Sequence, residues 1–401
     1  MDLYLQFGFG MMGHCCRLVE QWGGGTVILS PRDLEPEQLP RLSSEVTRLA
    51  GGSVLLDPQL YLPHSDHERL HRHVYWPRDY ETTTFWQPPA LAQFVSSLVR
   101  LNLSLQTREF IVPGLLTSEV DDIWVSSQRV IIEEVASRDT GLPLLSTIAL
   151  TADAVRSQDL ISSILEASEA CPVSGYYIVL EHPNGDYLVK DPVWVANVLD
   201  LTAGLKLRGS KVVLGYCNHQ MLVAACTKVD AIASGTWMNV RSFPADKFRA
   251  PYEDEHKQRA TWYYCPQALS EYKLPFLDMA NRRGLLDSMA PPAEMDSRYA
   301  TTLFSGVQPT ASGFGESAAF RHYLHCLRQQ ALSSVKDSFD ETQTHHEEVL
   351  TRAFSLTSSL RSSGVRGDSR DFNEIIDVNF SALADLNSTR GPILRRRWAS
   401  L

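Results

Sequence analysis

Residues 211–236 read K-V-V-L-G-Y-C-N-H-Q-M-L-V-A-A-C-T-K-V-D-A-I-A-S-G-T, two short apolar runs separated by a segment with paired apolar residues. Each run is too short for a helix and too uniformly apolar for a strand with one wet face. A strand buried on both faces of a parallel sheet has this composition. The same pattern recurs upstream at Leu3–Phe9, Thr26–Ser30, Ser53–Asp57, Glu109–Pro113, Pro143–Leu150 and Gly175–Glu181. With Lys211–Gly215 and Val229–Ser234 this makes eight predicted strands.

Helical patterns lie between them. Pro36–Leu49 sets Leu39, Leu42, Val46 and Leu49 on one face and ends at Gly51-Gly52. Ser118–Ala136 opens with a capping serine and acidic residues, and Ala154–Ala170 carries Ile161, Ile164 and Leu165 at helical spacing. Eight strands alternating with helices predict an α/β fold of the (β/α)8 type, a TIM-like barrel. The rival is an open doubly wound sheet with a phosphate-binding turn. Gly8-Phe9-Gly10-Met11-Met12-Gly13 has the G-x-G-x-x-G spacing, but the acidic residue expected ~20 positions on falls in a loop at Asp33.

The barrel is assigned to residues 1–335, with a rim insertion at 58–108 and an irregular region at 241–315. Residues 336–401 form a helical, polar C-terminal extension, broken at Ser362–Asp368. The 401 residues are 44% hydrophobic and 21% charged, and the net charge is −10. That balance excludes a general polyphosphate binder, which gains affinity from Lys and Arg. The seven cysteines are irregularly spaced, with Cys15 beside Cys16 and no C-x-x-C. A disulfide scaffold is therefore not expected, and a reducing, cytoplasmic location is. No apolar run approaches the ~18 residues of a membrane span, so no membrane association is expected.

Catalytic groups of such barrels project from the C-terminal ends of the strands. Asp57 and Glu181 each end an apolar run and form the predicted catalytic pair, two carboxyls able to divide acid and base roles. Gln6, Tyr61, His182, Gly215, Asn218 and Gly235 lie at or beside the same ends and are the predicted substrate-binding residues. Glycines there would let backbone N–H groups approach an anion. His64, Asp66, His67, His71 and His73 crowd the insertion, and His67 and His71 are four apart as on one helical face. No H-E-x-x-H accompanies them, and no metal or other cofactor is expected.

The run 211–241 resembles the late barrel of the tRNA-guanine transglycosylases, in which a strand ending in Gly, a helix and a G-V-D step lead into the last strand. P-V-S-G-Y-Y-I-V-L-E (172–181) resembles the strand beside that family's base pocket. P-L-L-S-T-I-A-L (143–150) is similar to the strand before it, and F-R-H-Y-L-H-C-L (320–327) to the closing helix. The similarity spans roughly half the chain at the level of pattern. The family's D-S-G-G-F-Q stands here as Asp57-Pro58-Gln59-Leu60-Tyr61. Its last-strand aspartate falls at Ala233 or Ser234, and of its zinc motif only Cys265, His322 and Cys326 remain.

The resemblance implies a base-exchanging glycosyltransferase of nucleic acid modification, nearest the divergent paralogues that handle 7-deazaguanine. DNA or tRNA would be the partner, Asp57 the acid–base or nucleophilic group, and Glu181 and Gly215 the readers of the base edge. Tyr61, Tyr75 and Trp76 would stack on the substrate. Two alternatives stand beside it. One is a barrel enzyme on a small anionic or phosphorylated metabolite. The other is a non-catalytic barrel subunit that meets a protein partner, or its own copy, through the C-terminal helices. Nucleic-acid binding by so acidic a chain requires that Arg32, Arg69, Arg72, Arg78, Lys247, Arg249 and Arg259 converge on one face.

Overall fold

The computed structural model describes all residues except 66, 78–85, 170, 250–259 and 296. Asp66, Arg78 and Arg259 therefore lie outside the described residues. All eight predicted strands are present: β1 (Asp2–Gln6), β2 (Gly25–Leu29), β3 (Gly52–Leu56), β4 (Phe110–Val112), β6 (Leu144–Leu150), β7 (Gly175–Leu180), β8 (Lys211–Leu214) and β9 (Ala231–Ser234). A two-residue strand, β5 (Leu116–Thr117), pairs with the upper end of β6. Every pairing in this sheet is parallel, in the order β3-β2-β1-β9-β8-β7-β6-β4. This is a mixed α/β, TIM-like strand order, with the first and last strands side by side. At the two ends of the path, the Arg108 amide donates to Val54 O at 3.0 Å, and the Leu116 amide to Tyr61 O at 2.9 Å.

The strands read as continuous apolar runs because both faces are covered. β7 is buried at all six positions. Helix Pro192–Leu207 is the clearest case of a helix buried on most of its sides. Asp191 caps it through the Val193 amide at 2.9 Å and the Trp194 amide at 3.2 Å, proline occupies its first position, and thirteen of its residues are buried. It packs on helices Ala152–Arg156 and Gln158–Ser168 and on Ile376–Thr389, near the C-terminus.

The 58–108 insertion divides in two. Its second half is helix Ala90–Leu105, which buries Leu91, Phe94, Val95, Leu98 and Val99 and is the crossover between β3 and β4. The stretch expected to be irregular, 241–315, also holds regular elements. These include the antiparallel hairpin β10 (Trp262–Cys265) and β11 (Ser270–Lys273) and the helix Leu274–Arg282. The hairpin and that helix enclose a small second core around Tyr263, Tyr272 and Leu277.

Beyond residue 335 the chain continues in helices, among them Phe339–Ser362. It is less polar in effect than its composition suggests: Phe339, Leu350, Phe372, Leu383, Leu394 and Trp398 belong to the same buried cluster as the sheet.

Candidate functional site at the C-terminal ends of the strands

Asp57 follows β3 and is 1% exposed. Its carboxylate sits in a cage of hydroxyls. Oδ1 accepts from the Gln59 amide at 3.0 Å and lies 2.9 Å from the Tyr61 hydroxyl. Oδ2 accepts from Tyr61 at 2.8 Å, Tyr216 at 3.0 Å and Tyr177 at 3.3 Å. The cage is held from behind. Gln59 donates through Nε2 to Ser30 Oγ at 2.7 Å and to the Tyr216 oxygen at 2.9 Å, and its Oε1 accepts from the Arg32 amide at 2.8 Å. Tyr177 also donates to Gln6 Oε1 at 2.9 Å.

Two opposed effects set the acidity. Burial raises the Asp57 pKa from 3.8 to about 6, and the bonds from Tyr61, the Gln59 amide, Tyr216 and Tyr177 hold it from rising further. The three tyrosines are pushed well above their usual range, first by burial and then by the neighbouring carboxylate, so they remain donors. The group therefore changes charge close to neutrality, a property that acid–base and nucleophilic chemistry uses.

Over the cage lies an aromatic layer. Phe243 and Phe248 stack at 5.2 Å and 29° and meet the Tyr61 ring at 5.0 and 5.2 Å. The Arg32 guanidinium lies 4.7 Å above Phe248 and pairs with Asp33 at 3.0 Å. Among the described residues, four buried polar atoms at this end have no hydrogen-bond partner: Gln6 Nε2, Arg32 Nη1, Ser234 Oγ and Thr236 Oγ1.

The structure thus brings together Gln6, Asp57 and Tyr61 of the predicted site and distributes the others. Glu181 is half-buried, accepts from the Ala152 amide at 3.3 Å and bridges in parallel to Phe243. Burial, above all, raises its pKa. It is not among the groups that touch Asp57. His182 bonds Asp186 O at 2.8 Å and packs edge-on against Trp194, and burial lowers its pKa to about 4. Asn218 caps the turn that follows β8, accepting from the Gln220 amide at 2.8 Å and donating to Tyr187 O at 2.6 Å.

The two glycines face protein. A Cβ on Gly215 would sit 2.6 Å from the Tyr177 hydroxyl, so the missing side chain is what admits Tyr177 to the carboxylate. A Cβ on Gly235 would sit 2.4 Å from both Gln6 O and Val240. Tyr75 and Trp76 are buried, Tyr75 donating to Pro58 O at 2.8 Å.

Sequence reading missed Tyr177, which stood inside an apolar run as apparent core, Tyr216, which follows the run Lys211–Gly215, and Phe243 and Phe248. It also missed a second buried polar centre. Glu271, on β11, accepts from Tyr187 at 2.7 Å, Arg370 at 2.7 Å and Arg241 at 3.2 Å. Burial opposes the charge of Glu271, but Arg370 and Arg241 outweigh it and lower its pKa to about 2.

The histidines of the insertion go separate ways. His71 meets Ser65 O at 2.7 Å, while His73 meets Pro31 O at 2.9 Å and Leu34 O at 3.1 Å. His322 is held by Tyr264 O at 2.7 Å and Ser297 Oγ at 2.6 Å, with Cys326 Sγ 3.6 Å away. Among the described residues no group of three or more His, Cys, Asp or Glu side chains is placed to hold a metal ion. None of the helices described is long and apolar enough to cross a membrane.

Of the basic residues of the predicted nucleic-acid face, Arg32, Arg69, Arg72 and Arg249 are paired with carboxylates. Arg69 and Arg72 meet Glu35 at 3.9 and 3.0 Å, and Arg249 meets Asp246 at 3.4 Å. Arg32 is buried.

No known protein family matches the chain, and none of the curated proteins does. Among solved structures, active domain 2 of a thermostable chitinase from Pyrococcus furiosus aligns at 9% identity and a TM-score of 0.35, covering 58% of this chain and 81% of that one. Pyruvate carboxylase from Rhizobium etli aligns at 12% identity and a TM-score of 0.36, over 100% of this chain and 48% of that one. The strand order therefore defines the chain: a TIM-like parallel α/β fold with a buried carboxyl at the C-terminal edge of its sheet.

Proposed function

We propose that the chain is a closed (β/α)8 barrel of the transglycosylase kind that acts on a nucleobase, with Asp57 as the reacting carboxyl. Closure is supported by the bonds from Arg108 to Val54 and from Leu116 to Tyr61, which join the two ends of the strand path. The activity rests on one observation above the rest. A carboxyl with its pKa near 6 stands at the C-terminal end of β3, in a cage of three tyrosine donors. The sequence resemblance points to the same residue.

Above pH 6 the carboxylate can attack a sugar carbon or take a proton from the incoming base. Below it the carboxyl can deliver a proton to the departing base. Arg32 Nη1 and Gln6 Nε2 carry unpartnered N–H groups beside it, the donors a base carbonyl needs. Phe243 and Phe248 must move for a base to reach this depth. Flat aromatic rings over a base site are also the surfaces on which bases stack.

The test is a base-exchange assay with single-stranded DNA, duplex DNA and tRNA, preceded by mobility shifts across a salt series. Arg69, Arg72 and Arg249 are already paired with carboxylates, so the expected salt dependence is shallow, reflecting few phosphate contacts. Exchange that is lost in Asp57→Asn supports the proposal. Absence of both binding and exchange with all three nucleic acids overturns it.

A non-catalytic barrel is the second reading, and the filled aromatic layer over Asp57 favours it. It predicts that Asp57→Asn leaves the biological activity of the chain intact.

A further inference from the structure

Four arginines along one seam of the molecule meet no carboxylate among the described residues: Arg17, Arg298, Arg321 and Arg328. The seam runs between helix Met12–Trp22, which follows β1, and helix Glu316–Ser334, which packs on β1 and on that helix. The turn Arg298–Phe304 lies against the second helix. Arg17 and Arg298 are exposed, and Arg321 and Arg328 are half-buried.

The four are held together. The Tyr299 hydroxyl bonds Gln21 Oε1, which ties the turn to the first helix, and Tyr299 has Arg298, Arg321 and Arg17 as its charged neighbours. Arg298 and Arg328 line one open groove of about 580 Å³. Arg321 and Arg328 stand two turns apart on one helix face. Arg321 donates through Nε to His14 Nδ1 at 3.1 Å, and its outer nitrogens have no partner among the described residues. Burial, then Arg321 and Arg17, lower the His14 pKa to about 4, so the imidazole stays neutral and accepts this bond. The Arg328 guanidinium lies 4.9 Å above the Trp22 ring, which steadies it without using its N–H donors.

These guanidiniums repel one another. Burial lowers the Arg321 pKa, and Arg17 lowers it further. The carboxylates nearby do not answer them: Glu20 and Glu316 on the two helices and Glu294 in the groove are exposed and form no ion pair with any of the four. Asp2 acts on Arg328 without pairing to it. In a chain of net charge −10, such a concentration of uncompensated positive charge suits an anion.

Rings continue the seam toward the C-terminal ends of the strands. Phe320 meets His14 edge-on at 6.0 Å and Trp237 at 4.8 Å. Trp237 donates to Phe9 O at 2.9 Å, and Phe9 itself is 50% exposed. Phe9 follows Gln6 beyond the end of β1, and Trp237 follows β9, so this end of the seam reaches the rim at which the Asp57 cage lies. A nucleic-acid strand has phosphates for the guanidiniums and bases for the rings. An acidic peptide would use the guanidiniums alone.

We propose that the seam of Arg17, Arg298, Arg321 and Arg328 binds the phosphodiester backbone of a nucleic-acid strand, which Phe9 and Trp237 lead over the rim toward Asp57. The direction of the strand rests on the nucleobase reading of Asp57; the backbone contacts do not.

The test is fluorescence anisotropy on the full chain with labelled single-stranded DNA and tRNA across a salt series, and with polyglutamate as competitor. Each phosphate contact on a single strand adds about 0.7 to the fall of log K with log salt, so four give a slope of roughly −3. Arg17→Gln with Arg298→Gln, both at exposed positions, and Arg321→Gln with Arg328→Gln should each weaken binding at least tenfold. Each pair should also flatten the slope by about 1.4. Urea unfolding confirms that the variants are folded, and the exposed pair keeps the test valid if the other is not. Arg69→Gln with Arg72→Gln, whose arginines are already paired, should change neither quantity. The proposal is overturned if the wild type binds neither strand at micromolar concentration, if the exposed pair keeps wild-type affinity and slope, or if polyglutamate competes as well as unlabelled DNA. Strand binding through the seam without base exchange leaves this surface standing and removes the reading of Asp57. Base exchange undiminished in both arginine pairs does the reverse.

Discussion

Asp57→Asn should make the protein more stable at neutral pH than it makes it in acid, relative to wild type. In the unfolded chain the carboxyl titrates at its ordinary 3.8, and in the folded chain at about 6. Below 3.8 both states hold the proton and the contribution of Asp57 is fully favourable. As pH rises through 6 the folded protein must also release it, against burial, and the contribution is lost. At 1.36 kcal/mol per pH unit, the interval between 3.8 and about 6 is worth roughly 3 kcal/mol. With the residue 1% exposed, solvent screening takes little from this. The asparagine cannot ionise and escapes the loss. Urea unfolding followed by tryptophan fluorescence, on both proteins from pH 4 to pH 8, gives the free-energy difference at each pH. It should shift in favour of the variant by roughly 2–3 kcal/mol across that range, the unfolded carboxyl being already part-ionised at pH 4. A difference that stays constant with pH would refute the reasoning, because the cage would then hold a carboxylate of ordinary acidity.

Three further outcomes are expected. Glu271→Gln leaves Arg241 and Arg370 without their shared carboxylate and should cost about 3–5 kcal/mol in urea unfolding at pH 7. In wild type the depressed pKa of Glu271 makes its contribution complete above 4.5 and lost as pH falls toward 2, an acid-limb loss of roughly 3 kcal/mol that the variant should lack. Gly215→Ala places a methyl 2.6 Å from the Tyr177 hydroxyl. It should cost roughly 1–3 kcal/mol and displace Tyr177 from Asp57, which a crystal structure of the variant would show. Five of the seven free cysteines are buried, and burial pushes the Cys217 and Cys265 thiols up to about 12. Mass spectrometry after brief alkylation at pH 8 should find label only on Cys16 and Cys171, and label on Cys217 or Cys265 in the folded protein would contradict the burial.

The strands were legible because a sheet covered on both faces leaves no freedom in its composition. Val27, Ile28 and Leu29, or Val212, Val213 and Leu214, can hardly stand elsewhere. The hairpin β10–β11 was not, since Tyr263 and Tyr272 meet a small local core rather than the main one, and Glu271 between them reads as surface. Helix Ala90–Leu105 has a good apolar face, but it follows a polar, histidine-rich stretch that drew the whole segment into one insertion. At the site, Asp57 stood out because it ends an apolar run. Its partners Tyr177 and Tyr216 lie 120 and 159 residues away in sequence, a juxtaposition that only the strand order creates. Glu181 ends an apolar run equally well, yet its carboxylate turns to the Ala152 amide. A run of apolar residues predicts where a strand stops, not which way its last side chain points.

The deeply buried helix Pro192–Leu207 has a consequence for biosynthesis. One of its outer partners is Ile376–Thr389, and the ion pair that fastens this end, Arg390 to Asp200, spans 190 residues. At about 5–20 residues per second, a ribosome takes roughly 10–40 s to supply that cover after making the helix. For that interval an emerging chain leaves uncovered the side of the helix on which Ile376–Thr389 later packs, a surface for which chaperones and aggregation compete. Expression yield should therefore depend on elongation speed and chaperone supply more than on the final stability of the fold.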